Sequence, residues 1–269
     1  MEKATNAPAA ASEHRLGKFF FKYRNQLLPV VLLGLAFGTP PSRFRGDVRL
    51  DFWLDLAGIA LALVGQAIRV ATIGLQYIVR GGKNKQVYAK SLVVGGVFAH
   101  CRNPLYLGNG LGLVGMLIVH NGVWMYAIGI PFILIAYGSI IAEEERYLRG
   151  RFGAEYEEYC RRVPRLAIRL AGLWKTLRSA HFQWKRVLRK EYGTTFACAS
   201  VFLAMLAWER VRLEGLEASR EQIAWLAATW VAIFAGYLTI RVLKKRHVLL
   251  DEIHLDETAV EASPAMKRA

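Results

Sequence analysis

From Asn103 to Ala142 the chain runs 40 residues without a single Lys, Arg, Asp or Glu, and then stops on Glu143-Glu144-Glu145. A bilayer core takes about 20 apolar residues per helix. The run therefore reads as two membrane helices folded back at His120-Asn121-Gly122. A turn that short returns both ends of the hairpin to one face. At that face stand the cluster "HCRNPLYLGNG" (His100–Gly110) and the three acids.

The other apolar blocks follow the same pattern. Asn25–Ser42 offers 18 uncharged residues, Tyr192–Trp208 offers 17 and Gln222–Ile240 offers 19. Trp53–Val79 is long enough to span, with Asp55 near one end and Arg69 inside. The sequence thus predicts an all-α polytopic integral membrane protein with about six transmembrane helices, against a soluble all-α protein with buried helices. Arg69 and Gln66 within a span suit either a transport pathway or a polar contact near a cytoplasmic pocket. No repeat favours transport.

The net charge of +15 becomes readable on that topology. With the N-terminus inside, 29 of the 36 Lys and Arg residues fall on cytoplasmic segments and 6 on outside loops, as the positive-inside bias requires. Both termini, and the face carrying the cluster, come out cytoplasmic. The charges flank membrane segments, so anionic lipid headgroups are the implied partner and nucleic acid is not. Cys101, Cys160 and Cys198 show no zinc or disulfide spacing, so no metal is expected from them.

Organisation follows from the blocks. Residues 1–24 read as a disordered cytoplasmic segment, and the apolar block after them as an uncleaved span rather than a signal peptide. Residues 25–79 hold two spans. Residues 80–190 form a core with the hairpin 104–142 and cytoplasmic helices. Residues 191–241 form a further hairpin, and 242–269 a cytoplasmic tail. "EEERYLRGRFGAEYEEYCRRVPR" places Leu148, Phe152, Tyr156, Tyr159 and Val163 at three- or four-residue steps. That is an amphipathic helix, suited to lie on the membrane surface or to pack on the protein's own cytoplasmic side. "LWKTLRSAHFQWKRVLRK" (residues 173–190) is more basic and reads as an anchor to anionic membrane.

"GNGLG" (Gly108–Gly112) lacks the strand and βαβ unit of a nucleotide loop. Its GxxxG spacing suits close packing of membrane helices. Asn103-Pro104 can start a helix as cap and first residue. The acids at 143–145, placed at a helix end where the dipole disfavours them, call for a cation, with Arg102 and Tyr106 as neighbours. A solvated helix end is the alternative.

"LVVGGVFAHCRNPLYLGN" (Leu92–Asn109), the hairpin, and "AEEERYLRGRFGAEYEEYCRRVPR" (Ala142–Arg165) together resemble the superfamily of isoprenylcysteine carboxyl methyltransferases and phospholipid methyltransferases. The resemblance covers roughly residues 65–165. It implies an integral-membrane methyltransferase that uses S-adenosylmethionine on a lipid or lipidated small-molecule acceptor. It implies that Lys90, Leu92, Val93, Phe98, Arg102, Asn103, Pro104, Tyr106, Glu143 and Glu144 enclose the cofactor, with Tyr106 and Glu143 as catalytic candidates. A carboxylate such as Glu144 suits the cofactor's ammonium, and Arg102 or Asn103 its carboxylate. Two positions depart from the prenylcysteine branch. Asn103 stands where that branch usually has His. Ser139-Ile140-Ile141-Ala142 stands where its eukaryotic members carry an Arg before the Glu run. These departures point toward a phospholipid amine as acceptor, while "FGAEYEEYCRRVPR" is closest to the prenylcysteine branch. A non-catalytic membrane scaffold of the same fold is the remaining alternative.

Overall fold

The computed structural model describes residues 7–76, 87–89, 91–179 and 181–249, with side chains from residue 14 onward. The described residues form helices and no strand. The long helices are α1 (Ala7–Gly38), α2 (Val48–Leu75), α3 (Pro104–His120), α4 (Ile130–Phe152), α7 (Trp184–Glu214) and α8 (Arg220–Lys245). Two short ones, α5 (Ala154–Arg162) and α6 (Leu173–Ser179), follow α4. Each of the six apolar runs places most of its described residues on a different long helix. Val48–Leu75, Met125–Phe152 and Arg220–Lys245 are long and apolar enough to cross a membrane.

Local chemistry sets the boundaries. The Asp47 side chain caps α2, accepting from the backbone N–H of Arg49 at 2.8 Å and of Leu50 at 3.2 Å. Pro104 opens α3 at a position where its missing N–H costs nothing. Asn121 ends α3 in the left-handed conformation (φ 50°), a conformation its short polar side chain tolerates. The turn is then locked to the end of α1: Ser42 Oγ donates to the Asn121 carbonyl at 2.7 Å, and His120 Nε2 lies 2.9 Å from the Ala36 carbonyl. A π turn, Met125–Gly129, leads into α4.

Two helix pairs build the core. α1 lays Phe21, Leu28, Leu32 and Ala36 against Ile133, Ala136 and Ile140 of α4. Those steps of three, four and seven residues form one helical stripe. α2 and α3 meet backbone to backbone. A Cβ on Gly58 would lie 2.6 Å from the Gly115 carbonyl oxygen, and one on Gly108 would lie 2.6 Å from that of Gly65. Such contacts drive helix association in a bilayer, where apolar burial does not. The surface is correspondingly oily: Leu63 is 65% exposed, Leu134 68% and Trp225 70%.

Four readings of the sequence need correction. Helix α1 starts at Ala7, within the segment read as disordered, because Phe20 and Phe21 bury against the core despite the charges between them. The close packing at "GNGLG" uses Gly108 and Gly115, two turns apart, while Gly112 has open space where a Cβ would be. α4 continues to Phe152, so the three acids sit inside a helix and the dipole argument does not apply to them. The amphipathic segment is two helices rather than one. It breaks at Gly153, whose φ of 51° and ψ of −123° suit only glycine. Tyr156, Tyr159 and Val163 pack with Leu92, Leu148 and Phe152 on the protein itself.

Candidate functional site

Three consecutive glutamates on α4 point about 100° apart, since a helix turns once in 3.6 residues. Each finds a different partner. Glu143 turns to α1, where His14 Nδ1 lies 2.8 Å from its Oε2, and it also pairs with Arg146 at 2.6 Å. Glu144 turns to α3 and accepts the Tyr106 hydroxyl at 2.7 Å on Oε1. Glu145 turns to the segment before α3 and to the end of α5, where Arg102 Nη2 is 3.3 Å from Oε1 and Arg165 Nε is 3.2 Å from Oε2.

The segment before α3 is held in place by the chain that follows α5. Pro164 forces extended backbone on Val163 (φ −119°, ψ 127°). Arg102 N–H donates to the Pro164 carbonyl at 2.9 Å, and Asn103 Nδ2 to the Arg165 carbonyl at 3.1 Å. His100, buried, lies 2.8 Å from the Arg169 carbonyl and 2.9 Å from Thr176 Oγ1, which ties α6 to the same loop. Tyr159 donates to the Phe98 carbonyl at 2.8 Å. Burial pushes the phenols of Tyr156 and Tyr159 and the thiol of Cys101 above their ordinary ranges, so all three stay protonated.

The sequence-derived residues therefore divide. Arg102, Asn103, Pro104, Tyr106 and Glu144 converge where α3 starts and α4 passes. Phe98 and Leu92 border them through Tyr159 and the α5 cluster. Val93 is partly buried in the same loop. Glu143 faces α1 instead, a helical step away from Tyr106. Lys90 lies outside the described residues. Glu145 is grouped with the other acids but not placed among the cofactor residues, and Arg165 is not picked out from sequence, although both stand in the quoted motifs. Arg24, whose charge acts on Glu144, and Tyr137, whose ring centre is 5.6 Å from that of Tyr106, come from helices that only the fold brings near. Clefts between α7 and α8 are lined by residues such as Ala204, Ala227 and Tyr237, and no candidate residue reaches them.

The pattern of the family described as phospholipid methyltransferase matches residues 54–155. That segment is what the chain shares with the family. It holds the Arg102–Tyr106 cluster and all three glutamates, and it leaves out α7 and α8. The chain is 29% identical over 170 residues to the protein-S-isoprenylcysteine O-methyltransferase of Rattus norvegicus, covering 60% of this chain and 56% of that enzyme. It is 26% identical over 167 residues to the nickel-cobalt-cadmium resistance protein NccN of Alcaligenes xylosoxydans xylosoxydans, covering 61% of this chain and 73% of that protein. It is 29% identical over 163 residues to the cobalt-zinc-cadmium resistance protein CzcN of Cupriavidus metallidurans, covering 60% and 66%. No solved structure matches the chain. The core is that of a membrane methyltransferase, a class whose methyl donor is S-adenosylmethionine.

Proposed function

We propose that this core binds S-adenosylmethionine beside the Tyr106–Glu144 pair and methylates a lipid-like acceptor that reaches it from the membrane. The observation that carries the reading is the meeting of Tyr106 and Glu144 at 2.7 Å, with Arg102 one turn before, inside the family segment. The donor set fits the group. Tyr106 occupies only one oxygen of Glu144, which leaves the other for an ammonium. Arg102 Nε is buried without a hydrogen-bond partner, and an unspent donor there suits a carboxylate.

When bound, the cofactor supplies a methyl group on a sulfonium whose positive charge disappears as the methyl leaves. The chain's own contribution is to hold, dry and align. Glu144 offers charge to the ammonium end, and Tyr106 fixes the rotamer of Glu144. Glu145 and Arg165 hold Arg102 in place. Tyr106 and Tyr137 exclude water, which strengthens each of these contacts.

Glu144→Gln removes a charge-assisted hydrogen bond worth about 1.5–3 kcal/mol. Binding of S-adenosylhomocysteine, measured by calorimetry, should weaken about tenfold or more, while Glu143→Gln leaves it nearly unchanged. Equal affinity in wild type and Glu144→Gln would remove Glu144 from the site.

For the acceptor, we infer a lipid amine in preference to a prenylcysteine carboxylate. Ile140 is fully buried among apolar side chains facing α1, so no cation stands at that position to hold a carboxylate. The Asn103 amide is already committed to the Arg165 carbonyl. Purified protein should methylate a lipid amine at least as fast as a farnesylcysteine analogue; efficient methylation of the farnesylcysteine carboxylate alone would reverse the assignment.

The basic residues support a cytoplasmic site and cytoplasmic termini. With Cys101, Cys160 and Cys198 replaced, Val123→Cys should react with an impermeant thiol reagent on intact cells and Leu170→Cys only after lysis. The opposite pattern would invert the topology.

A further inference from the structure

Away from the methyltransferase site, α2 and α7 bury three carboxylates against one another. Asp51 and Asp55 lie one turn apart on α2, and Glu209 faces them from α7. They are 2%, 5% and 1% exposed, and a carboxylate oxygen from each lies within 4.8 Å of the other two. Neither oxygen of Glu209 has a hydrogen-bond partner, and neither does Asp55 Oδ1.

The surrounding charges do not balance. Arg210 Nη2 lies 3.2 Å from Asp55 Oδ2, and Arg43 Nε lies 3.5 Å from Asp51 Oδ2. Both arginines also pair with Glu214. Among the described residues, four acids thus share two cations, and no ion pair reaches Glu209. Two uncompensated negative charges in a buried place are unstable on their own. A divalent cation supplies the missing charge.

The geometry suits such an ion. Bonds of about 2.0–2.6 Å to oxygen separate ligands on one ion by roughly 3–5 Å. The donors are all carboxylate oxygens, with no imidazole or thiolate among them, and that set suits Mg²⁺, Ca²⁺ or Mn²⁺. Asp55 and Arg69 are about 20 Å apart along α2, at 1.5 Å per residue. The cluster therefore sits at the opposite end of the bundle from Tyr106 and Glu144.

We propose that Asp51, Asp55 and Glu209 form a binding site for a hard divalent cation that clamps α7 to α2. The site is independent of the methyl-transfer chemistry and can be tested without any activity.

The experiment uses the full chain in detergent, stripped with chelator, and follows Mn²⁺ binding by the loss of its free-ion resonance signal. Wild type should take up a single Mn²⁺, displaced by excess Ca²⁺ or Mg²⁺, and should unfold at a higher temperature with the ion than without it. Glu209→Gln and Asp55→Asn should each weaken Mn²⁺ binding by more than tenfold and lose the ion-dependent rise. In chelator they should be at least as stable as wild type, because each removes an uncompensated charge; this also shows that they fold. Arg210→Gln should bind Mn²⁺ more tightly, since it removes a competing cation. Glu158→Gln, on the exposed face of α5, should match wild type. Equal Mn²⁺ binding by wild type, Glu209→Gln and Asp55→Asn overturns the proposal. So does a wild-type protein stabilised by acid and indifferent to every divalent ion, since protons would then neutralise the cluster.

Discussion

Helix α7 is fastened to the core near both of its ends, and the two fastenings differ. Near its start, Arg69 of α2 grips Glu191 through two hydrogen bonds of 2.9 and 3.0 Å and also bonds Asn109 of α3. Gln66 reaches Thr195 at 2.8 Å beside them. Charge meets charge within the protein. Near its end, Glu209 meets Asp51 and Asp55, and acids outnumber arginines there. A charged residue in a span is thus no guide to transport here. Arg69 is a bolt between helices, closed at one end of α7 by protein alone, whereas the other end has a deficit that something outside the chain can fill.

The largest effect belongs to the matched end. Glu191→Ala leaves the buried Arg69 charge without its carboxylate, which costs about 3–5 kcal/mol. Unfolding in detergent should show that loss, and the double change Arg69→Met with Glu191→Leu should recover most of it, because the desolvated charges vanish together. A single variant as stable as wild type would mean that Glu191 does not hold α7 in place.

The smallest effect belongs to the exposed contact on α4. His14 is 39% exposed on its side chain where it meets Glu143, and partly exposed pairs contribute about 0–1 kcal/mol. His14→Ala should therefore shift stability by less than about 1 kcal/mol. A loss as large as that of Glu191→Ala would erase the distinction between buried and surface-screened pairing on which the comparison rests.

These contacts also show what a sequence can and cannot convey. Five of the six apolar runs are legible because absence of charge over 17 or more residues is a local property, and the sixth, Trp53–Val79, is legible by its apolar length despite Asp55 and Arg69. So is the Asn103-Pro104 helix start. The partner of each glutamate is not local. It depends on the rotational phase of α4 against α1, α3 and α5, and one residue of phase decides between Glu144 and Glu145. Arg165 escaped notice for a related reason: it stands two residues beyond Val163, and its place is set by the extended backbone that Pro164 imposes. The start of α1 was hidden by Arg15, Lys18 and Lys22, which interrupt the apolar run while Phe20 and Phe21 still reach the core. The carboxylate cluster draws on α2 and α7, whose acids are far apart in sequence, and no spacing rule connects them.

The glycine contacts between α2 and α3 bear on how the molecule yields under load. Backbones that touch at Gly58–Gly115 and Gly65–Gly108 cannot slide without collision, so that pair behaves as one stiff beam. α1 and α4 form a second beam, joined by interlocked side chains. α3 and α4 touch at few points, and their connection is the tight turn at Asn121. The compliant line of the bundle therefore runs between the beams, hinged at that turn, and at its far end the Tyr106–Glu144 hydrogen bond and the Tyr106–Tyr137 ring contact cross it. A bilayer that bends, or a lipid that wedges between α3 and α4, works against those few contacts with the leverage of two helices.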